Sequence, residues 1–163
     1  MYIGKSIYRV DSLEKVTGRA LYVFDAEFPG MLYAKLVRST EAHAKIKKIN
    51  IERARTYPGV VAVITGEQLR EYKVGIYVAD RNMLAWDKVR FIGDPVAAVI
   101  AETEEAAERA AELVDVDYEP LPAITDPERA FEERAVLIHE NLGKYDYYRG
   151  YINPIPNTNI ANK

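Results

Sequence analysis

Apolar and polar positions along this chain mark two kinds of strand. Val60 to Thr65 (VVAVIT) and Pro95 to Ala101 (PVAAVIA) are continuous apolar runs, the pattern of a strand covered on both faces. Val114 to Glu119 (VDVDYE) alternates residue by residue, which predicts a strand covered on one face only. Met31 to Ser39 reads as a strand bounded by Gly30 and a polar cluster. Ala44-Lys45-Ile46 and Ile49-Asn50-Ile51 read as another, and the slip in alternation at Lys47-Lys48 predicts a β-bulge. Tyr22-Val23-Phe24, Tyr77-Val78 and Lys88 to Phe91 are shorter strand candidates.

One stretch has a clear helical period. Ala106, Ala107, Ala110, Ala111 and Val114 form one apolar stripe, while Glu104, Glu105, Glu108, Arg109 and Glu112 take the other face. Thr103 stands where an N-cap belongs, so the main helix is expected over about 103–114. Shorter helices are expected over 51–57, stopped by Pro58-Gly59, over 67–72, and after Asp126, with Pro127 at the first position. Residues 1–20 show no sustained period and read as an extended N-terminal arm. From His139 onward the pattern dissolves into alternating tyrosines and an Asn-Pro-rich stretch, so 139–163 reads as a linker. Mixed strands and few helices predict an α+β fold rather than a doubly wound sheet.

Composition narrows the chemistry. The 163 residues carry 22 Lys and Arg against 25 Asp and Glu, a net charge of −3 with both signs interspersed, so nothing draws the chain to nucleic acid. Cysteine is absent, which removes disulfides, thiolate zinc sites, a thiol nucleophile and cysteine-held iron–sulfur clusters from this chain. No apolar run approaches the roughly 20 residues that cross a bilayer, and the first residues lack an apolar leader core. The chain reads as cytoplasmic.

Five features of the sequence bear on chemistry. Asp115, Asp117 and Glu119 share one strand face and could approach a hard cation, but Ca²⁺ takes six to eight oxygens and no neighbouring residue supplies the rest. They read as the solvated face of a half-buried strand. His43 and His139 read as structural histidines bonded to loop backbone rather than as general bases. Ile92-Gly93-Asp94-Pro95 precedes a strand, whereas a phosphate loop follows a strand and opens a helix, so it reads as a turn. Ser6, Ser12 and Ser39 lack a nucleophile elbow, and the tyrosine-rich tail has too few cations nearby for a nucleic-acid surface. No residue is assigned to catalysis, to a cofactor or to a metal.

Six blocks in order give the chain a family resemblance. They are Arg9-Val10-Asp11 with Lys15 to Tyr22, Pro29 to Ala34 with Val37-Arg38-Ser39 and Ala42 to Ile46, Pro58 to Thr65, Val89 to Val99 continuing to Thr103, Val116 to Pro122, and Ile138 to Asn141. Together they resemble the N-terminal part of the large subunit of molybdenum hydroxylases, the family of carbon monoxide dehydrogenase, aldehyde oxidoreductase and xanthine dehydrogenase. Thr40-Glu41 departs from a frequent Pro-His pair, and Asp94 stands where Glu or Gln is common. The resemblance implies an α/β-hammerhead domain over 1–138, with a mixed sheet, and a linker over 139–163 toward a molybdopterin-binding domain. It implies no cofactor in this chain and no activity of the chain alone. The molybdenum–molybdopterin cofactor belongs to the following domain or a separate chain, and iron–sulfur clusters and FAD to partner subunits or domains. The whole enzyme would oxidise CO, an aldehyde or an N-heterocycle. A stand-alone binding module on the same fold is the other expected reading.

Overall fold

The computed structural model describes residues 3–132, 134–148 and 151–162. The chain divides into two compact units, Met1–Met31 and Leu32–Lys163.

In the first unit, helix α1 (Ser12–Val16) buries none of its side chains. It is held by local polar contacts. Asp11 takes both the Arg9 guanidinium at 3.0 Å and the Lys15 ammonium at 2.6 Å, and the Thr17 hydroxyl donates to the Leu13 carbonyl at 2.6 Å. The arm expected to be extended over 1–20 therefore contains a short helix. Tyr22-Val23-Phe24 is not a strand. Val23–Asp25 forms a 3₁₀ turn, closed by the Asp25 carboxylate accepting the Tyr22 N–H at 2.8 Å. An apolar triplet without a neighbouring strand leaves its backbone groups to a local turn.

The second unit holds two three-stranded sheets. Strands β1 (Tyr33–Arg38), β7 (Pro95–Ala101) and β3 (Val60–Thr65) form one, antiparallel throughout, with β7 in the middle. Strands β6 (Lys88–Val89), β2 (Ala44–Asn50) and β8 (Asp115–Pro120) form the other. A two-residue pair, β4 (Lys73–Val74) with β5 (Arg81–Asn82), stands apart. Helix α2 (Glu52–Arg55) and helix α3 (Glu104–Ala111) complete the unit. The α+β arrangement is the expected one, but the named strands pair antiparallel in separate sheets rather than in one mixed sheet. Both apolar runs form strands as predicted, β7 as the covered centre and β3 as an edge strand with Val61 exposed.

Helix α3 shows how the sequence builds the layer. The Thr103 hydroxyl accepts the Ala106 N–H at 3.1 Å and caps the first turn, and Glu104 and Glu105 sit at the positive end of the dipole. The helix ends at Ala111, a turn short of expectation, because Leu113 and Val114 bond back to Ala110 and Ala111 and carry the chain into β8. Ala107 and Ala110 are buried against the first sheet, where Ala97, Val99 and Ala101 are also buried. Small side chains on both layers let helix and sheet approach closely. Gly59, with φ +82, turns the chain into β3, and a Cβ there would lie 3.4 Å from the Ala106 methyl.

Two hydrophobic clusters form the core. Val99, Val63, Ala54 and Ala110 lie between the first sheet and the helices. Val96, Val89, Ala44 and Ala85 lie toward the second sheet, with Val116 and Tyr118 of β8 packed against them. Val37 touches both clusters. The predicted bulge is present, since the β2–β8 register slips between Ile46 and Lys48. Lys45 and Lys47 both reach Glu119, at 3.5 and 3.3 Å.

Candidate functional site

The segments flanking β6 build a cleft out of charge and backbone polarity. Lys88 is buried, and its ammonium pairs with Glu140, whose side chain is 56% exposed. The Arg90 guanidinium donates to the Ile138 carbonyl at 3.1 Å and to the Lys88 carbonyl at 3.2 Å, and its backbone N–H donates to Asp94 at 3.0 Å. These contacts hold residues 138–140 beside the second sheet. Further along, Ala79 and Tyr148 donate backbone hydrogen bonds to Asp146 and Tyr77, each at 2.8 Å, and Val78 and Tyr147 form an antiparallel bridge. Asn159 closes the arrangement. Its Oδ1 accepts the Ile138 N–H at 2.9 Å, and its Nδ2 donates to the Val136 carbonyl at 2.9 Å.

Asp80 and His139 meet where these segments converge, with Oδ2 and Nε2 3.8 Å apart. The Tyr145 hydroxyl lies 3.4 Å from His139 Nδ1, its ring edge-on to the imidazole. The pair lines two adjoining cavities. The larger, of about 450 Å³, has Ile124, Ile138 and Leu142 among its apolar walls and is lined also by Asp126. The smaller, of about 180 Å³, is lined also by Arg81, Arg90 and Asp94.

Burial sets the electrostatics. It lowers the affinity of His139 for a proton; Arg90 and Lys88 lower it further, and Asp80 and Glu140 oppose them without restoring it. Burial likewise raises the Asp94 carboxyl, against the Arg90 N–H and guanidinium, and raises the Tyr145 hydroxyl. For Glu140, burial alone would raise the carboxyl, but the Lys88 hydrogen bond and charge outweigh it and hold the group below its ordinary value. The site therefore combines a neutral imidazole with an ionised Glu140 carboxylate.

The residues weighed from sequence lie in separate places. His43 is buried and its Nδ1 donates to the Pro122 carbonyl at 2.7 Å, the backbone-bonded role expected of it. His139 departs from that expectation, since its partners are the Asp80 and Tyr145 side chains. Gly93, with φ +89, sits in a turn closed by the Asp94 N–H on the Phe91 carbonyl at 3.1 Å. Asp115 and Asp117 face solvent, and Glu119 is taken by the two lysines of β2. Among the described residues, no three His, Asp or Glu side chains converge as a metal-binding group. Asp80 and Lys88 lie in no family block, and the blocks that hold Arg90 and Glu140 assigned them no role. A lysine directly before the apolar Val89 in a strand was the one available hint.

The first unit presents a different surface. Val10, Leu21, Val23 and Phe24 are each at least 88% exposed, and Tyr8 and Phe28 are exposed beside them in sequence. Monomeric soluble proteins rarely leave so much large apolar surface open to water.

Residues 17–122 match the family model described as aldehyde oxidase and xanthine dehydrogenase, a/b hammerhead domain. The chain belongs to this family. Among hammerhead-domain relatives, the xanthine dehydrogenase molybdenum-binding subunit of Escherichia coli is 44% identical over 143 residues, covering 80% of this chain and 19% of that protein. The carbon monoxide dehydrogenase large chain of Afipia carboxidovorans is 41% identical over 138 residues, covering 82% of this chain and 17% of that one. A solved Cu,Mo-CO dehydrogenase superposes with a TM-score of 0.76 at 39% identity, over 85% of this chain and 18% of that one. The chain thus spans about a fifth of the length of these relatives. No helix among the described residues is long and apolar enough to cross a membrane.

Proposed function

We propose that this chain is the non-catalytic hammerhead domain of a molybdenum hydroxylase large subunit. Its task is to dock onto the molybdopterin-binding part of the assembly, with iron–sulfur and FAD subunits or domains as further partners. Residues 139–163, expected to be a linker, lead toward that part after being tied to the second unit at Glu140, Asp146–Tyr148 and Asn159. The assembled enzyme oxidises CO, an aldehyde or an N-heterocycle at a centre outside this chain, in the cytoplasm.

The observation that carries this reading is the exposed apolar surface of the first unit. Val10, Leu21, Val23 and Phe24 cannot be explained by a core within that unit, since its helix buries nothing. Each would gain about 1.5–3 kcal/mol on full burial against a partner, a large return from a short segment. The Escherichia coli relative, of which this chain covers 19%, is named a molybdenum-binding subunit, which supports a molybdenum-carrying remainder as that partner.

Purified alone, the chain should carry no stoichiometric molybdenum by elemental analysis and turn over no aldehyde with a dye acceptor. Mixed with a relative's large subunit from which the corresponding domain has been deleted, it should co-elute on size exclusion. Phe24→Asp combined with Val23→Asp should abolish co-elution while leaving the melting of the second unit intact. Molybdenum bound by the isolated chain, or co-elution indifferent to the double variant, would overturn the reading.

A further inference from the structure

The larger cleft beside Asp80 has no role in a docking domain as described above. We propose that it is a binding site for a small organic cation carrying an apolar ring. Three observations converge on that ligand class. The cavity, about 450 Å³, falls within the roughly 300–1,000 Å³ of small-molecule sites. Its walls include Ile124, Ile138 and the buried Leu142, which would cover a ring. Its ionisable lining is Asp80, Asp126 and His139, with neither lysine nor arginine, so it is complementary to positive charge.

Asp80 is the anchor. Its side chain is 28% exposed, and among the described residues its one ion-pair contact is His139 at 3.8 Å. Burial keeps that imidazole neutral, so it neither satisfies the carboxylate nor repels a cation. Asp126 differs, because its Oδ1 already accepts the Glu128 N–H at 2.9 Å. Arg81 and Arg90 line the neighbouring smaller cavity and not the larger one, and Asp80 and His139 form the wall that the two share. A ligand ammonium at Asp80 would form a charge-assisted hydrogen bond in a partly desolvated place, while its ring displaces water from the apolar wall.

Benzylamine, a cation at neutral pH, is the probe. Benzyl alcohol and benzoate are its neutral and anionic counterparts of similar shape. In the ¹⁵N-labelled chain, benzylamine should shift the amides of Ile138, Leu142 and Ala161 saturably, with benzyl alcohol at least about tenfold weaker and benzoate weaker still. Asp80→Asn should weaken benzylamine by about tenfold or more, and Ala130→Leu, which fills the cavity, should abolish the shifts. Should Asp80→Asn fail to fold, the three-probe comparison and Ala130→Leu decide alone. Equal affinity for the three probes, or benzylamine binding unchanged in either folded variant, would refute the site.

Discussion

Both sheets of the second unit have an apolar cluster, but helix α3 on the first and residues 138–140 beside the second are held by opposite means. Helix α3 covers the first through methyl groups, with Ala107 and Ala110 against Ala97, Val99 and Ala101. Residues 138–140 lie beside the second through Lys88–Glu140 and Arg90 on the Ile138 carbonyl, and residues 146–148 are tied by backbone bonds to Tyr77 and Ala79. Apolar cover is non-directional and cooperative, and it fails when volume changes. Polar cover is directional, and it fails when one partner of a buried charge is removed. The first kind makes a scaffold. The second leaves gaps between its fixed points, and the cleft at Asp80 is such a gap.

The comparison is broken hardest on the helix side. Ala110 is fully buried, so Ala110→Leu should overpack the layer and destabilise the chain by about 1–3 kcal/mol in urea melts. Glu108→Leu introduces the same good helix former on the exposed face. It gives up the surface contact with Lys35 on β1, both side chains being about half exposed, and such pairs contribute little. Its effect should be a small fraction of the other. Equal melting of the two variants would mean that the alanine stripe is not the packing face.

This asymmetry also explains what the sequence could show in advance. The run 95–101 announced β7 because a covered central strand must be apolar throughout, whereas the equally apolar run 60–65 became an edge strand with Val61 55% exposed. The helix was legible in its alanines, and the bulge in Lys47-Lys48, because each breaks or keeps a period. Tyr22-Val23-Phe24 misled because strand propensity needs a pairing partner, and a local carboxylate, Asp25, offered the backbone a closer one. The 3₁₀ turn at Gly66–Leu69 replaced the expected helix over 67–72. Gly66 opens it because a Cβ there would lie 2.3 Å from the Ala85 carbonyl oxygen. The cleft was illegible for a different reason. Asp80, Lys88, His139 and Asn159 are brought together by backbone hydrogen bonds and long-range ion pairs, and neither has a period. The family blocks carried the N-terminal arm and the domain, but no block marks Asp80.

A smaller effect is expected on the polar side, and its sign separates pairing from mere burial. Glu140→Gln keeps the shape but leaves the buried Lys88 ammonium without its counter-charge. Because Glu140 is itself more than half exposed, the cost should fall to about 1–2 kcal/mol, below that of breaking a fully buried pair. Lys88→Met removes the buried charge and leaves a carboxylate that water can solvate, so it should cost less than Glu140→Gln. Both should raise hydrogen exchange at the Tyr148 amide, which is tied to Tyr77. The reverse ranking would show that Glu140, rather than the lysine, is the group that the fold must keep paired.

The finest test turns on His139, the one histidine in the cleft. Burial, then the repulsion of Arg90 and Lys88, makes the folded chain hold its proton less firmly than the unfolded chain does, despite Asp80 and Glu140. Stability rises with pH wherever the unfolded state binds more protons. The contribution of His139 is therefore complete above the unfolded value of about 6.5, and it is lost as pH falls from there toward the lowered folded value. Glu140 acts in a separate window. Its lowered carboxyl contributes above the unfolded value of about 4.3 and fades only in stronger acid. Between about pH 7.5 and 5.5, then, urea midpoints of the native chain should fall, and His139→Gln should flatten that slope. The other histidine, His43, is unchanged in both proteins, so the difference between their slopes isolates His139. Parallel slopes would place the acid sensitivity elsewhere and would mean that the imidazole in the cleft is solvated well enough to titrate as an ordinary one.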